Sequence, residues 1–399
     1  MIGFDLSPET ARRSLGRGPG LGEDDDAVVD RYTTVVWGHL VEPGDSVAGR
    51  LISERGATGA LRAVIADDPS GFDRREFAAA RRRWLPRLDA NAIADGLRRA
   101  AKVGAVLVTR ADPDWPEQLD DLGPHAPICL WVRGDPSRLR RLHPSVAIVG
   151  ARAATSYGDH VALELSADLA GGGVPVVSGG AYGIDGAAHR AALAVGGLTV
   201  ALLAGGVDRA YPAGHTDLVE RIAATGVVAS EVPCGSTPTK WRFLQRNRLI
   251  AALADATVVV EAGWRSGSLN TAGHAASLSR PLGAVPGPVT SAASAGTHRL
   301  LREYDAFCIT GAADVREMLG LAVGREAPSQ APASAGERAR TDDTTRIRDA
   351  LSPRAWRDVD DLARRAGMAA EDIEPILGLL HLEGSAVRGP AGWRAVLMD

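Results

Sequence analysis

Residues 146–183 read VAIVGARAATSYGDHVALELSADLAGGGVPVVSGGAYG. Two short apolar runs, VAIV and VPVV, stand a helix's length apart, and each empties into a turn rich in small residues. An unbroken apolar run of four to eight residues is the pattern of a strand buried on both faces, and a helical segment between two such runs is the crossover that parallel strands require. The pattern continues outward. GAVLVT (104–109) and ICLWVR (128–133) precede the stretch; LTVALLAGG (198–206), GVVASEV (226–232), ATVVVEAG (256–263), LGAVPG (282–287) and AFCIT (306–310) follow it. The expected fold over 104–320 is α/β, a doubly wound, mostly parallel sheet.

The remainder of the 399 residues divides by composition. Residues 1–30 are Gly-rich and then acidic (Glu23, Asp24, Asp25, Asp26), which predicts a mobile arm. Residues 31–103 are rich in Ala, Arg and Leu at helical spacing, which predicts a small helical domain. Residues 321–343 carry Pro, Ala and Ser without periodicity and predict a linker. Residues 344–399 fit three short helices and a Gly-punctuated hairpin, the order of a winged helix. That last stretch from residue 342 onward holds eight Arg against eleven Asp and Glu. An acidic third helix (Glu371, Asp372, Glu374, Glu383) repels phosphate, so a protein-contact or regulatory module is expected there.

At 45% hydrophobic and 24% charged, the composition is that of an ordinary globular protein. No apolar stretch reaches the ~20 residues of a membrane span, and the opening residues lack the pattern of a signal peptide, so a cytoplasmic location and no membrane partner are expected. Cys129, Cys234 and Cys308 are far apart, without ligand spacing, and are expected to be reduced thiols. No metal or cofactor is called for. The net charge of −4 means that any nucleic-acid site must be a local basic patch.

In a doubly wound sheet ligands sit beyond the carboxyl ends of the strands. The loops there hold Gly150-Ala151-Arg152 with Thr155-Ser156-Tyr157-Gly158, then Ser178-Gly179-Gly180-Ala181-Tyr182-Gly183, then Tyr211-Pro212, and Arg265-Ser266-Gly267-Ser268 running on to Thr271. Glycine-rich loops let backbone amides converge on an anion. Lys240-Trp241-Arg242-Phe243-Leu244-Gln245-Arg246-Asn247-Arg248 has four cations and no acid, at the start of a helix. Cations there oppose the helix dipole, a cost that a bound phosphate offsets. Rings lie among the cations (Tyr157, Tyr182, Trp241, Phe243, Trp264), and charged grooves with aromatic platforms suit single-stranded nucleic acid. Tyr182 and Trp264 are the better platforms because they stand in Gly-rich loops. Catalytic patterns are thin: Asp185 and His189 are spaced as an acid/base pair, but a helix cap and a packed imidazole explain them more simply.

Taken in order, VAIVGAR…SYG, VVSGGAYGIDGAAHRAAL, GGVDRAYP, SEVPCG, FLQRNRLIAALADATVVVEA, RSGSLNTA and VPGPV resemble the DprA/Smf family, the DNA-processing proteins of natural transformation. The resemblance is dense over about 104–310. It implies an extended Rossmann-like domain with N-terminal helical and C-terminal winged-helix accessories, and no enzymatic role. It further implies a homodimer that binds single-stranded DNA without sequence specificity and loads the RecA recombinase onto it. Carried onto this chain, the DNA-binding residues are Arg152, Ser178, Gly179, Gly180, Tyr182, Lys240, Arg246, Asn247, Arg248, Ser266, Gly267, Ser268 and Thr271. Three departures stand out. The family's GSR reads Gly150-Ala151-Arg152, its Arg after Ala181 is Tyr182, and its Asn in YPxxN is His215. Four cations (Arg152, Lys240, Arg246, Arg248) each neutralising a phosphate would set a single-strand salt slope of about −2.8.

Two other readings compete. The same glycine-rich edge could hold one nucleotide, as a sensor or as an enzyme hydrolysing nucleoside monophosphates with Glu261 or Asp185 as acid/base. Alternatively the chain could be a dimeric adaptor that recruits recombinase with little DNA affinity of its own.

Overall fold

A computed structural model describes residues 4–16, 24–321, 343–382 and 384–396. By contact the chain divides into two units, Met1–Gly324 and Arg325–Asp399.

The first unit opens with five helices, α1 (Pro8–Leu15), α2 (Asp25–Leu40), α3 (Ser46–Ala66), α4 (Arg74–Trp84) and α5 (Ala90–Lys102). The strands that follow are β1 (Val106–Val108), β2 (Leu130–Gly134), β3 (Val146–Val149), β4 (Val176–Ser178), β5 (Thr199–Leu202), β6 (Val227–Ser230), β7 (Ala256–Val259), β8 (Leu282–Ala284) and β9 (Phe307–Cys308). Each falls in one of the apolar runs read above. Between them run α6 (Ser156–Gly171), α7 (Ile184–Ala194), α8 (Thr216–Thr225), α9 (Lys240–Leu253), α10 (Ser268–Ser277), α11 (Ala295–Glu303) and, after β9, α12 (Ala312–Met318).

The nine strands form one sheet in the order β1-β2-β6-β5-β4-β3-β7-β8-β9. From β6 to β9 every pairing is parallel; β2 pairs antiparallel with β6 on one side and with β1 on the other. The order reverses between β3 and β7, where Val146 pairs with Val176 on one side and Ala256 on the other. The crevice beyond the carboxyl ends of those two strands is the sheet's topological switch point. Alternate residues of β5 and β6 serve opposite cores. Ala201 and Val228 face the N-terminal helices, whereas Val200, Leu202, Val227 and Ala229 face the layer containing Leu249 and Leu253 of α9.

Two expectations for the N-terminal region need correction. Of residues 1–30, expected to be a mobile arm, 4–16 and 24–30 belong to the folded helical region, and 1–3 and 17–23 lie outside the described residues. Ser7 caps α1, Ala11 is fully buried, and Phe4 stacks on Tyr32 with ring centroids 6.3 Å apart. The acidic run is a helix start: Asp24 caps α2 by accepting from the amide of Asp26, and Asp25 and Asp26 complement the positive end of the dipole. Nor do the following helices hold a core of their own. Val35, Val36, Trp37, Leu51 and Leu61 share one cluster with Trp131, Leu203, Val207, Leu218 and Ile222 of the sheet domain. The expected linker lies almost wholly outside the described residues.

The second unit contains α13 (Asp343–Ala350), α14 (Val359–Ala366), α15 (Ala370–Leu382) and the hairpin β10 (Ala386–Gly389) and β11 (Gly392–Ala395), a winged helix. Its core is Ile347, Leu362, Ile373, Leu377, Leu380 and Trp393.

Candidate nucleic-acid interface

A cleft of about 400 Å³ opens at the switch point. It is walled by Val149 to Ala153 after β3, by Ala181 and Asp185 before and in α7, by Phe243 to Ile250 of α9, and by Ser266 to Thr271 at the start of α10. Seven of the expected residues meet there: Arg152, Arg246, Asn247, Ser266, Gly267, Ser268 and Thr271.

Arg246 is the floor. It is 5% exposed, and Leu202 O, 3.0 Å from Nη1, is the one acceptor it reaches among the described residues; its buried Nε has none. Gly179 makes this position possible, because a Cβ there would collide with the guanidinium. Burial lowers the Arg246 pKa to about 10, with Asp185 opposing the shift, so the group remains cationic at neutral pH. A buried cation with most of its donors unmatched is costly unless an anion completes it. Arg152, exposed at the rim, lays its guanidinium 4.7 Å from the centroid of Phe243, and Arg246 lies 5.8 Å from the same ring. Opposite, the hydroxyls of Ser266 and Ser268 are 3.1 Å apart, and Asn247 donates to Gly267 O and Asn270 Oδ1.

The other expected residues stand elsewhere. Ser178 is fully buried and donates its hydroxyl to Ile148 O at 2.6 Å, so it ties β4 to β3. The amides of Gly179 and Ala181 are held by the Asp185 carboxylate, not offered to a ligand; burial raises the Asp185 pKa, against Arg246 and these amides. Gly180 lends its carbonyl to His215 Nδ1 at 3.0 Å. His215 thus supplies a donor to that loop from the position of the family's Asn. Tyr182 is half-exposed outside the cleft wall, its ring against His215. Lys240 is exposed in the first turn of α9, which Thr239 caps through the Arg242 amide.

Arg248 is the largest correction. Its side chain is 3% exposed and forms a two-pronged ion pair with Glu231, both contacts 2.6 Å, while Nε donates to His125 O. Arg242 is likewise taken, by Glu42 at 2.8 and 2.9 Å. Half of the helix's cations are therefore structural, satisfied by acids 17 and 200 residues away in the chain.

Glu261, read from the sequence only as a possible acid/base of a nucleotide-hydrolysing site, has a structural role instead. This carboxylate, 2% exposed and just beyond β7, accepts from the amide and hydroxyl of Thr155 at 2.9 and 2.6 Å. It occupies the start of α6, the place where a Rossmann domain receives a nucleotide phosphate. Gly158 leaves room for it; a Cβ would strike the carboxylate. For its pairing with Thr155, the hint in the chain was a Thr three residues before a glycine at a helix start. His189 is fully buried, shares a 2.7 Å bond with Thr199 Oγ1, and has its pKa lowered to about 3 by burial. Asp185 and His189 serve separate structural bonds.

Residues 106–320 match the family model for DNA recombination-mediator protein A, and residues 329–392 match the DprA winged helix domain. The chain belongs to the DNA recombination-mediator protein A family. A Mycobacterium tuberculosis protein named for DprA is 45% identical over 312 residues, spanning 75% of this chain and 79% of its own. Escherichia coli protein Smf is 34% identical over 275 residues, or 67% and 71% of the two chains. The X-ray structure of DNA processing protein A from Streptococcus pneumoniae superposes with a TM-score of 0.61 at 29% identity, covering 72% of this chain and 97% of that one. Among the described residues no helix is long and apolar enough to cross a membrane.

Proposed function

We propose that the switch-point cleft grips single-stranded DNA through its phosphates and stacked bases, without sequence preference. The observation that carries this reading is Arg246, a buried, largely unsatisfied cation aimed into the same cleft as the exposed Arg152. A phosphate supplies the acceptors Arg246 lacks. Phe243 packs against both guanidinium groups and holds them toward the cleft, and the paired hydroxyls of Ser266 and Ser268 offer donors to a neighbouring phosphate. Such contacts carry no base-edge readout, so affinity is indifferent to sequence. The chain then acts as a binding protein, not an enzyme, in the cytoplasm. As a homodimer it presents the strand to a RecA-type recombinase, a role that the family's description as a recombination mediator supports.

A nucleotide-hydrolysing reading fares worse. Glu261 fills the α6 start, where it repels a mononucleotide's phosphate, and it is committed to Thr155. With Arg248 removed from the clamp, three cations remain, Arg152 and Arg246 in the cleft and Lys240 outside its wall on the exposed first turn of α9, and the salt slope for a single strand becomes about −2 rather than −2.8. Fluorescence anisotropy of labelled dT oligonucleotides across a salt series measures it. A slope near zero contradicts the phosphate grip, and release of free base from nucleoside monophosphates contradicts the non-enzymatic role.

A further inference from the structure

The geometry points to a base-stacking rim beyond the cleft, built from Tyr182 and Tyr211, on which the strand continues by aromatic contact. It rests on the single-strand reading above.

The two rings stand at opposite ends of one turn. Tyr211 begins it and lies 5.6 Å from Phe243, which lines the cleft and is itself covered by Arg152. Gly214 and His215 end it and carry Tyr182. The His215 ring meets Tyr182 edge-on at 4.7 Å, and a Cβ on Gly214 would collide with the tyrosine's hydroxyl. His215 is buried and bonded to Gly180 O, so the support under Tyr182 is fixed. Both rings are thereby held in place, yet remain 48% and 51% exposed. Neither hydroxyl has a hydrogen-bond partner among the described residues, whereas Tyr157, at similar exposure, donates to Pro286 O at 2.6 Å. A tyrosine buried for packing normally finds a protein partner for its hydroxyl, whereas these two turn theirs to solvent. Two supported, half-bare rings leading away from a ring in the cleft wall are surfaces for the flat faces of successive bases.

The contribution of such a rim depends on bases and not on charge, which separates it from the clamp. In the full chain, the double variant Tyr182→Leu/Tyr211→Leu should weaken binding of dT20 roughly fivefold or more per ring, with the salt slope unchanged. It should leave a 20-residue abasic strand, which has phosphates but no bases, bound as tightly as by the unaltered chain. The Tyr182→Phe and Tyr211→Phe variants should bind dT20 normally. Tyr182→Arg should steepen the slope by about 0.7, one added phosphate contact, and should tighten the grip on the abasic strand. Should the leucine variant fail to fold, the phenylalanine and arginine variants decide the matter. Undiminished dT20 binding by the leucine variant, or equal losses on dT20 and the abasic strand, overturns the rim. If the unaltered chain does not bind dT20, the single-strand reading itself fails, and that outcome is distinct from either.

Discussion

At the level of single residues, three of the basic positions of the cleft helix and its neighbouring loop have different physical roles despite similar chemistry. Arg152 is exposed over Phe243, Arg246 is buried beneath Gly179, and Arg248 is locked to Glu231. Substituting Arg152→Ala should weaken binding to all single strands alike and make the salt slope shallower by about 0.7. The same slope before and after would remove Arg152 from the clamp. Arg248→Ala should leave the slope intact but strand the Glu231 carboxylate, whose side chain is 9% exposed, at a cost to folding of roughly 3–5 kcal/mol in urea titrations. A variant that folds as well as the unaltered chain yet loses DNA would reverse these assignments. The basic run was legible from composition alone; its division was not. Whether a cation is free depends on acids brought up by the fold, and Glu42 and Glu231 lie outside the window in which charge patterning can be judged.

At the level of elements, the central strands β3 to β8 could be read because burial on both faces leaves an unmistakable apolar run, whereas the edge strand β9 is exposed and was read from its short apolar run alone. The acidic residues 24–26 misled for a reason of the same kind: negative charge suits a solvated arm and a helix start equally, and only the following apolar periodicity tells them apart. The contact of α7 with β5 makes a prediction of its own. His189 of α7 is buried, neutral and bonded to Thr199 of β5. Its folded pKa of about 3 lies below the ordinary histidine value, so the unfolded chain binds a proton that the folded chain refuses. The associated stability is complete above about pH 6.5 and is lost as pH falls toward 3. Between pH 8 and pH 5 this one group should cost about 2 kcal/mol. Burial shifts His39 and His274 in the same direction, so the total acid sensitivity is larger. Urea titrations at the two pH values should show His189→Leu flattening the dependence by that amount; an unchanged pH dependence would mean the imidazole is accessible to protons.

At the level of the whole molecule, the N-terminal helices and the sheet share one core, a fact that the composition break near residue 103 concealed. Removing residues 1–103 would bare Trp131, Leu203, Val207, Leu218 and Ile222, and the remainder should aggregate or melt without a cooperative transition. A monodisperse, cooperatively melting fragment would show the helices to be an independent domain after all. The winged helix carries Glu371 and Asp372 in the first turn of α15, which disfavours the duplex backbone. The central claim, that a cationic cleft at the switch point grips a flexible single strand, is tested most directly by anisotropy titrations of the full chain. These would use a 20-nucleotide single strand and a 20-base-pair duplex at 50 and 200 mM salt. The single strand should bind more tightly than the duplex and lose about twentyfold in affinity over that range. Equal or tighter duplex binding, or single-strand affinity unaffected by salt, would contradict it.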